Sequence, residues 1–164
     1  MICVNGGRSA IVAGVPRWTA CQTRGVVTEQ RAAEVQSVVG EVVRWASEHQ
    51  DVRGVVVVGS WVRNAARMDS DVDIVVLTDG SAHVDPDVWS LLLAGRVIRE
   101  QDWGPLREIR LVRPSGFEIE VGVVPLSWAN TDPVDAGTFR VINDGHRIVY
   151  DPDGALAALS IACR

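Results

Sequence analysis

Between Thr28 and His49 the apolar positions Val35, Val38, Val39, Val42, Val43 and Ala46 recur at intervals of three and four, while Gln30, Arg31, Glu34, Glu41, Arg44 and Glu48 cover the remaining faces. That period predicts a helix capped by Thr28 with one buried stripe, a scaffold helix rather than a partner-binding one. The pattern then changes. Asp51-Val52-Arg53-Gly54 turns the chain, and residues 55–58 form a short apolar run suited to a buried strand. This strand stops at Gly59-Ser60. Residues 60–67 read as a short helix, 68–70 as a lead-in, and a second strand opens with Asp71-Val72-Asp73 and ends near Thr78. After a turn at Asp79-Gly80-Ser81, Pro86 sits in the first turn of a helix reaching Gly95, with Val88, Leu91 and Leu92 as its core stripe. Residues 101–104 read as a loop. Strands over 106–113 and 117–124, joined at Pro114-Ser115-Gly116, read as a β-hairpin. In its second strand Phe117, Ile119, Val121 and Val123 share one face, and Glu118 and Glu120 share the other. The Pro-, Asp- and Gly-rich stretch 127–145 reads as a connection, 146–150 as a strand, 151–154 as a turn and 155–163 as a last helix.

Adjacent and crossover strands together point to an α/β fold, a small mixed β-sheet with helices packed on it. Residues 1–25 show no sustained period and read as a loose N-terminal arm, which leaves 26–164 as a single domain. A chain of 164 residues can bury about two-thirds of its unfolded surface. Its hydrophobic content of 47% and mean hydropathy of +0.12 indicate a filled core rather than disorder. No apolar run approaches the ~18 residues of a membrane helix.

Charge and composition narrow the chemistry. The net charge of -5 argues against an extended nucleic-acid surface. All 16 basic residues are Arg. Without Lys there is no P-loop lysine and no Schiff base, so phosphate recognition falls to Arg, backbone and metal. Cys3, Cys21 and Cys163 are far apart and odd in number, which argues against a zinc site or disulfide framework and for a cytoplasmic location. The apolar run 9–15 before Cys21 is a poor lipoprotein signal, since Pro16-Arg17 interrupts it.

Strand parity places Asp71 and Asp73 on one face with Cα atoms roughly 6.6 Å apart, while Val72, Ile74 and Val76 face the core. Two carboxylates so close repel unless a positive partner sits between them, and a hard divalent cation suits oxygen ligands. Gly59-Ser60, at the start of the next segment, offers free N–H groups and a close backbone approach suited to phosphate. Together these suggest a nucleotide–Mg²⁺ site. Asp69-x-Asp71-x-Asp73 fails as a calcium loop, because positions six and twelve are Ile74 and Gly80 rather than Gly and Glu. A purely structural Asp pair is the plain alternative. His49, His83 and His146 read as surface residues, Trp45, Trp89 and Trp103 as packing residues, and Trp61 and Trp128 as candidates to border the site.

GS, about ten residues, then SDVD resembles the signature of the nucleotidyltransferase superfamily related to DNA polymerase beta, which includes minimal and aminoglycoside-type bacterial members. The resemblance is specific over residues 55–78 and weaker from Trp103 to about Leu159. Arg63 holds the family's basic position, and Asn64 stands where the family usually has Gly. The resemblance implies a third metal carboxylate on a later strand. Glu120 is preferred to Glu118 because it lies deeper in its strand. It further implies that Asp71, Asp73 and Glu120 hold two Mg²⁺ ions, and that Gly59, Ser60 and Arg63 grip the phosphates of an NTP, ATP by default. Ser70 would orient the Asp71 loop. The implied reaction is nucleotidyl transfer to the hydroxyl of a small-molecule or protein acceptor, with a second subunit or a small helical protein as partner. Two other readings remain: an antitoxin-type enzyme acting on a partner toxin, and a catalytically silent nucleotide-binding module.

Overall fold

The computed structural model describes residues 27–164. The N-terminal arm expected over residues 1–25 lies outside them, as do Cys3 and Cys21. The first helix, α1 (Glu29–Glu48), is capped as expected: the Thr28 hydroxyl accepts the Arg31 N–H at 3.2 Å. Its stripe of Ala32, Val35, Val38, Val39, Val42, Val43 and Ala46 is buried.

Six strands follow, β1 (Val52–Val58), β2 (Val72–Thr78), β3 (Arg96–Trp103), β4 (Leu106–Val112), β5 (Glu118–Pro125) and β6 (His146–Tyr150), in one mixed sheet of order β3-β4-β5-β2-β1-β6. Every pairing is antiparallel except β2 with β5, which run parallel. The helices are α2 (Pro86–Leu93), α3 (Ala136–Asn143) and α4 (Ala155–Ala162), with 3₁₀ turns at Ala82–Val84 and Leu126–Ala129.

Strand alternation sends apolar side chains to both faces. On one face Val55, Val57, Val72, Ile74, Val76, Ile119 and Val121 meet the α1 stripe with Trp61 and Trp89. On the other, Val56, Val75, Leu77 and Val124 meet Trp128, Ile142, Leu156 and Leu159. Asp73 has the parity of Val75 and Leu77, and Glu120 that of Val124, so both acids belong to this second face.

Several expectations are corrected. Residues 60–67 form no helix: the turn after β1 makes an Ala65 N–H to Ser60 carbonyl bond of 2.9 Å and then stops at Asn64, whose φ of 55° cannot continue a right-handed helix. β1 begins at Val52, so Arg53-Gly54 is strand, with an irregularity in its pairing to β2 between Val52 and Gly54. The expected loop at 101–104 is largely the end of β3, an edge strand exposed along most of its length that shows no apolar alternation to read. The connection 127–145 contains α3, capped by Asp135, which accepts from the Gly137 and Thr138 N–H groups. In α2 the buried positions are Trp89 and Leu93, and Leu91 is 84% exposed. No helix among the described residues is long and apolar enough to cross a membrane.

Candidate active site

The end of β1 starts the site. Gly59 adopts φ 77°, a backbone region that glycine enters without strain. Trp61, fully buried, fastens the following turn to the α1 side of the core. The loop closes where the Ser70 hydroxyl accepts the Arg67 N–H at 2.9 Å and the Ser70 N–H donates to the Arg67 carbonyl at 3.1 Å. Ser70 therefore shapes the loop that delivers Asp71 by bonding to Arg67.

The parallel pairing of β2 with β5 sets Asp73 directly opposite Glu120. Neighbouring strands lie about 4.8 Å apart, so side chains in register on the same face meet. Asp71, two residues earlier, shares that face. One carboxylate oxygen from each of Asp71, Asp73 and Glu120 comes within 4.8 Å of the other two. Glu118 stands outside this cluster, 44% exposed.

The cluster abuts the glycine turn. A Cβ placed on Gly59 would lie 1.9 Å from Asp73 Oδ2, so only glycine leaves room for that carboxylate. The adjacent Ser60 Oγ is buried without a hydrogen-bond partner. Burial raises the Asp73 carboxyl from 3.8 to about 7, with the Asp71 and Glu120 charges adding to the shift. Burial also raises Glu120, with the Glu108 charge adding to it. Surplus negative charge on oxygen donors, beside an unpaired hydroxyl, fits a hard divalent cation.

β4 brings a cation to the same cluster. The three-residue turn 114–116 pairs Arg113 with Phe117, through a 2.9 Å bond from the Arg113 N–H to the Phe117 carbonyl, and so sets Arg110 opposite Glu120. Arg110 Nη1 donates to Asp71 Oδ2 at 2.7 Å and to Glu118 Oε2 at 3.1 Å, and Nη2 donates to Glu120. Behind it, buried Glu108 accepts from Arg99 and from Trp103 Nε1 at 2.7 Å. Burial alone would raise the Glu108 carboxyl, and these hydrogen bonds overcome it, holding Glu108 below the ordinary range. Burial likewise opposes the Arg110 charge, and the acids around it, Glu118 first, more than offset that.

Beside the triad lies a cleft of about 200 Å³, lined by Gly59, Arg63, Asp73 and Glu120 with Val141 and Asp144. Arg63 is tied across it to Asp144 Oδ2 at 2.5 Å. Sites that bury a whole small ligand run to about 300–1,000 Å³, so this cleft is sized for part of such a ligand. A larger cleft, about 770 Å³, lies among Asp87, Ser90, Arg96 and Arg113, away from the triad.

A family model described as a nucleotidyltransferase domain matches residues 40–126, from late α1 past the end of β5 and just over half of the chain. The chain belongs to that family. No curated protein matches it. Among solved structures, a cytoplasmic RNA terminal U-transferase matches with a TM-score of 0.49 at 15% identity, over 73% of this chain and 35% of that one. The Cid1 poly(U) polymerase in a MgATP-bound form matches with a TM-score of 0.46 at 17% identity, over 59% of this chain and 33% of its own. The chain thus spans about a third of the length of these structures.

In this nucleotidyltransferase domain the expected acids Asp71, Asp73 and Glu120 come together, with Gly59 and Arg63 on the adjoining cleft. Asn64 takes the left-handed conformation that the family's usual Gly adopts freely. Trp61 and Trp128 do not border the site: both are buried in the core, on opposite faces of the sheet. His83 is not a surface residue: it is 5% exposed, and its Nε2 lies 2.8 Å from Asp51 Oδ2. Trp103, expected to pack, is 55% exposed. Arg110 was missed, although the turn length and the alternation of Glu108 with Arg110 carry the signal for it.

Proposed function

We propose that this chain transfers a nucleotidyl group from an NTP, ATP in the first instance, to an acceptor hydroxyl, with Mg²⁺ held by Asp71, Asp73 and Glu120. The observation that carries the reading is the convergence of those three carboxylates within 4.8 Å of one another beside the Gly59 turn. On this reading the backbone at Gly59 and the Ser60 hydroxyl receive the β- and γ-phosphates of the donor. Arg63 neutralises charge on the departing phosphates, which requires it to exchange Asp144 for phosphate. The acceptor hydroxyl passes its proton to solvent water as its oxygen bonds to the α-phosphorus. The α–β phosphoanhydride bond breaks opposite it, and pyrophosphate leaves. When bound, Mg²⁺ offsets the triphosphate charge and lowers the pKa of the acceptor hydroxyl, and two ions are expected. The protein's own contribution is to hold donor and acceptor in line.

Among the described residues the cleft takes in only part of a nucleotide. We assign the rest of the donor and the acceptor to a further surface, for which a second subunit, a small helical protein partner and a large acceptor are the candidates. Residues 26–164 act as one domain in the cytoplasm, where NTPs are abundant. Calorimetry with ATP and Mg²⁺, paired with a pyrophosphate-release assay over the four NTPs and candidate acceptors, tests the reading. Binding with release that is lost in Asp71→Asn and Asp73→Asn supports it. Binding without release points to a silent nucleotide-binding module, and unchanged release in both variants contradicts the metal mechanism.

A further inference from the structure

Arg110 engages two members of the acidic triad at once, Asp71 at 2.7 Å and Glu120, together with Glu118 at 3.1 Å. It lies opposite Glu120 on the neighbouring strand, so backbone register, rather than a flexible loop, aims it there. The guanidinium thus performs part of what a metal ion would: it draws together carboxylates that otherwise repel. It cannot yield by losing its proton, because arginine stays charged at any working pH. It yields by moving.

The surroundings allow that movement. Arg110 Nε is buried without a hydrogen bond, 3.7 Å from Glu108 Oε1, so the inner edge of the fork is held by charge alone. Glu108 is held by Arg99 and Trp103, neither of which depends on Arg110 for its bond. Glu118 lies outside the triad, is 44% exposed and is already within reach of Nη1. It is the carboxylate onto which the guanidinium can retreat.

We propose that Arg110 is a positioning residue that pre-assembles the metal site, and that binding of the first divalent ion is an exchange in which the guanidinium gives up Asp71 and Glu120 and withdraws to Glu118 and Glu108. The inference rests on the metal reading above. It means that metal-free protein is already folded around its triad, and that metal affinity is set by competition with a cation the chain itself supplies. A resident positive charge a few ångströms from a divalent ion weakens binding by on the order of tenfold or more at the effective dielectric of a half-buried site.

The test is Mn²⁺ binding without nucleotide, followed by electron paramagnetic resonance, for wild type, Arg110→Gln and Arg110→Lys, with thermal unfolding in EDTA and in saturating Mn²⁺. Arg110→Gln is expected to bind Mn²⁺ roughly tenfold or more tighter than wild type. It is expected to unfold at a lower temperature in EDTA, with the deficit closing when Mn²⁺ is added. Arg110→Lys keeps the charge but loses the two-pronged grip, and falls between the two in both measurements. Should Arg110→Gln fail to fold, the ratio of Arg110→Lys to wild type carries the same test. Equal or weaker Mn²⁺ affinity in the variants, or a stability deficit that Mn²⁺ leaves unchanged, overturns the exchange while the metal reading stands. No Mn²⁺ on wild type or variant overturns the metal reading, and the exchange with it.

Discussion

Gly59 and Asp73 share one space: a Cβ at position 59 would lie 1.9 Å from Asp73 Oδ2. The end of β1 and the Asp73 carboxylate of β2 are thereby packed against each other with no room for a side chain between them. Gly59→Ala introduces this overlap at a φ of 77°, which an L side chain already disfavours. It should destabilise the domain by about 1–3 kcal/mol and weaken Mg·ATP binding at least tenfold. Thermal unfolding and calorimetry measure the two effects separately.

The raised Asp73 carboxyl gives the metal-free protein a definite pH dependence. With its folded value near 7 against 3.8 unfolded, Asp73 favours the folded state while it is protonated. That contribution is fully present below about pH 4 and is lost as pH rises through about 7. In EDTA, this group should therefore make wild type more stable at pH 5.5 than at pH 8.5. Asp73→Asn should flatten the trend, and Mg²⁺ should restore wild-type stability at the higher pH.

Asn64 stands in the left-handed region at φ 55° in the turn that follows Gly59-Ser60. Asn64→Gly should be neutral or stabilise by up to about 1 kcal/mol. Asn64→Val, β-branched where φ is positive, should lose about 1–3 kcal/mol. Denaturant titration of the three proteins distinguishes these outcomes, and equal midpoints would remove the conformational role assigned to Asn64.

Glu118 and Glu120 alternate on one strand face, yet only Glu120 faces Asp73 in register. Glu120→Gln should lower nucleotidyl transfer at least a hundredfold, in line with loss of a metal ligand (~3 kcal/mol). Glu118→Gln should stay within about tenfold of wild type. Steady-state rates of the two variants at saturating Mg²⁺ decide between the acids.

Strand parity made most of the site legible in the sequence. Alternation placed Asp71 with Asp73 and Glu118 with Glu120, and the turn at Pro114-Ser115-Gly116 already implied the partner of Glu120 on β4. Alternation cannot give the order of strands, so the parallel β2–β5 pairing that joins Asp73 to Glu120 had to come from the structure. Edge strand β3 escaped because both of its faces are largely exposed. α3 escaped because Gly137 and the β-branched Thr138, Val141 and Ile142 carry weak helix propensity, which burial of Thr138 and Ile142 overrides. The turn 60–67 misled in the opposite sense: its composition suits a helix, and a single left-handed residue ends it. His83 was misread because its partner Asp51 is distant in sequence, a contact no local pattern announces.

The most direct measurement is a crystal grown or soaked with Mn²⁺ and a nonhydrolysable NTP, read by anomalous scattering. A manganese peak is expected among the carboxylates of Asp71, Asp73 and Glu120, with the triphosphate lying against Gly59 and Ser60. Nucleotide bound elsewhere, or a triad still closed on Arg110 with no metal beside it at saturating Mn²⁺, would contradict it.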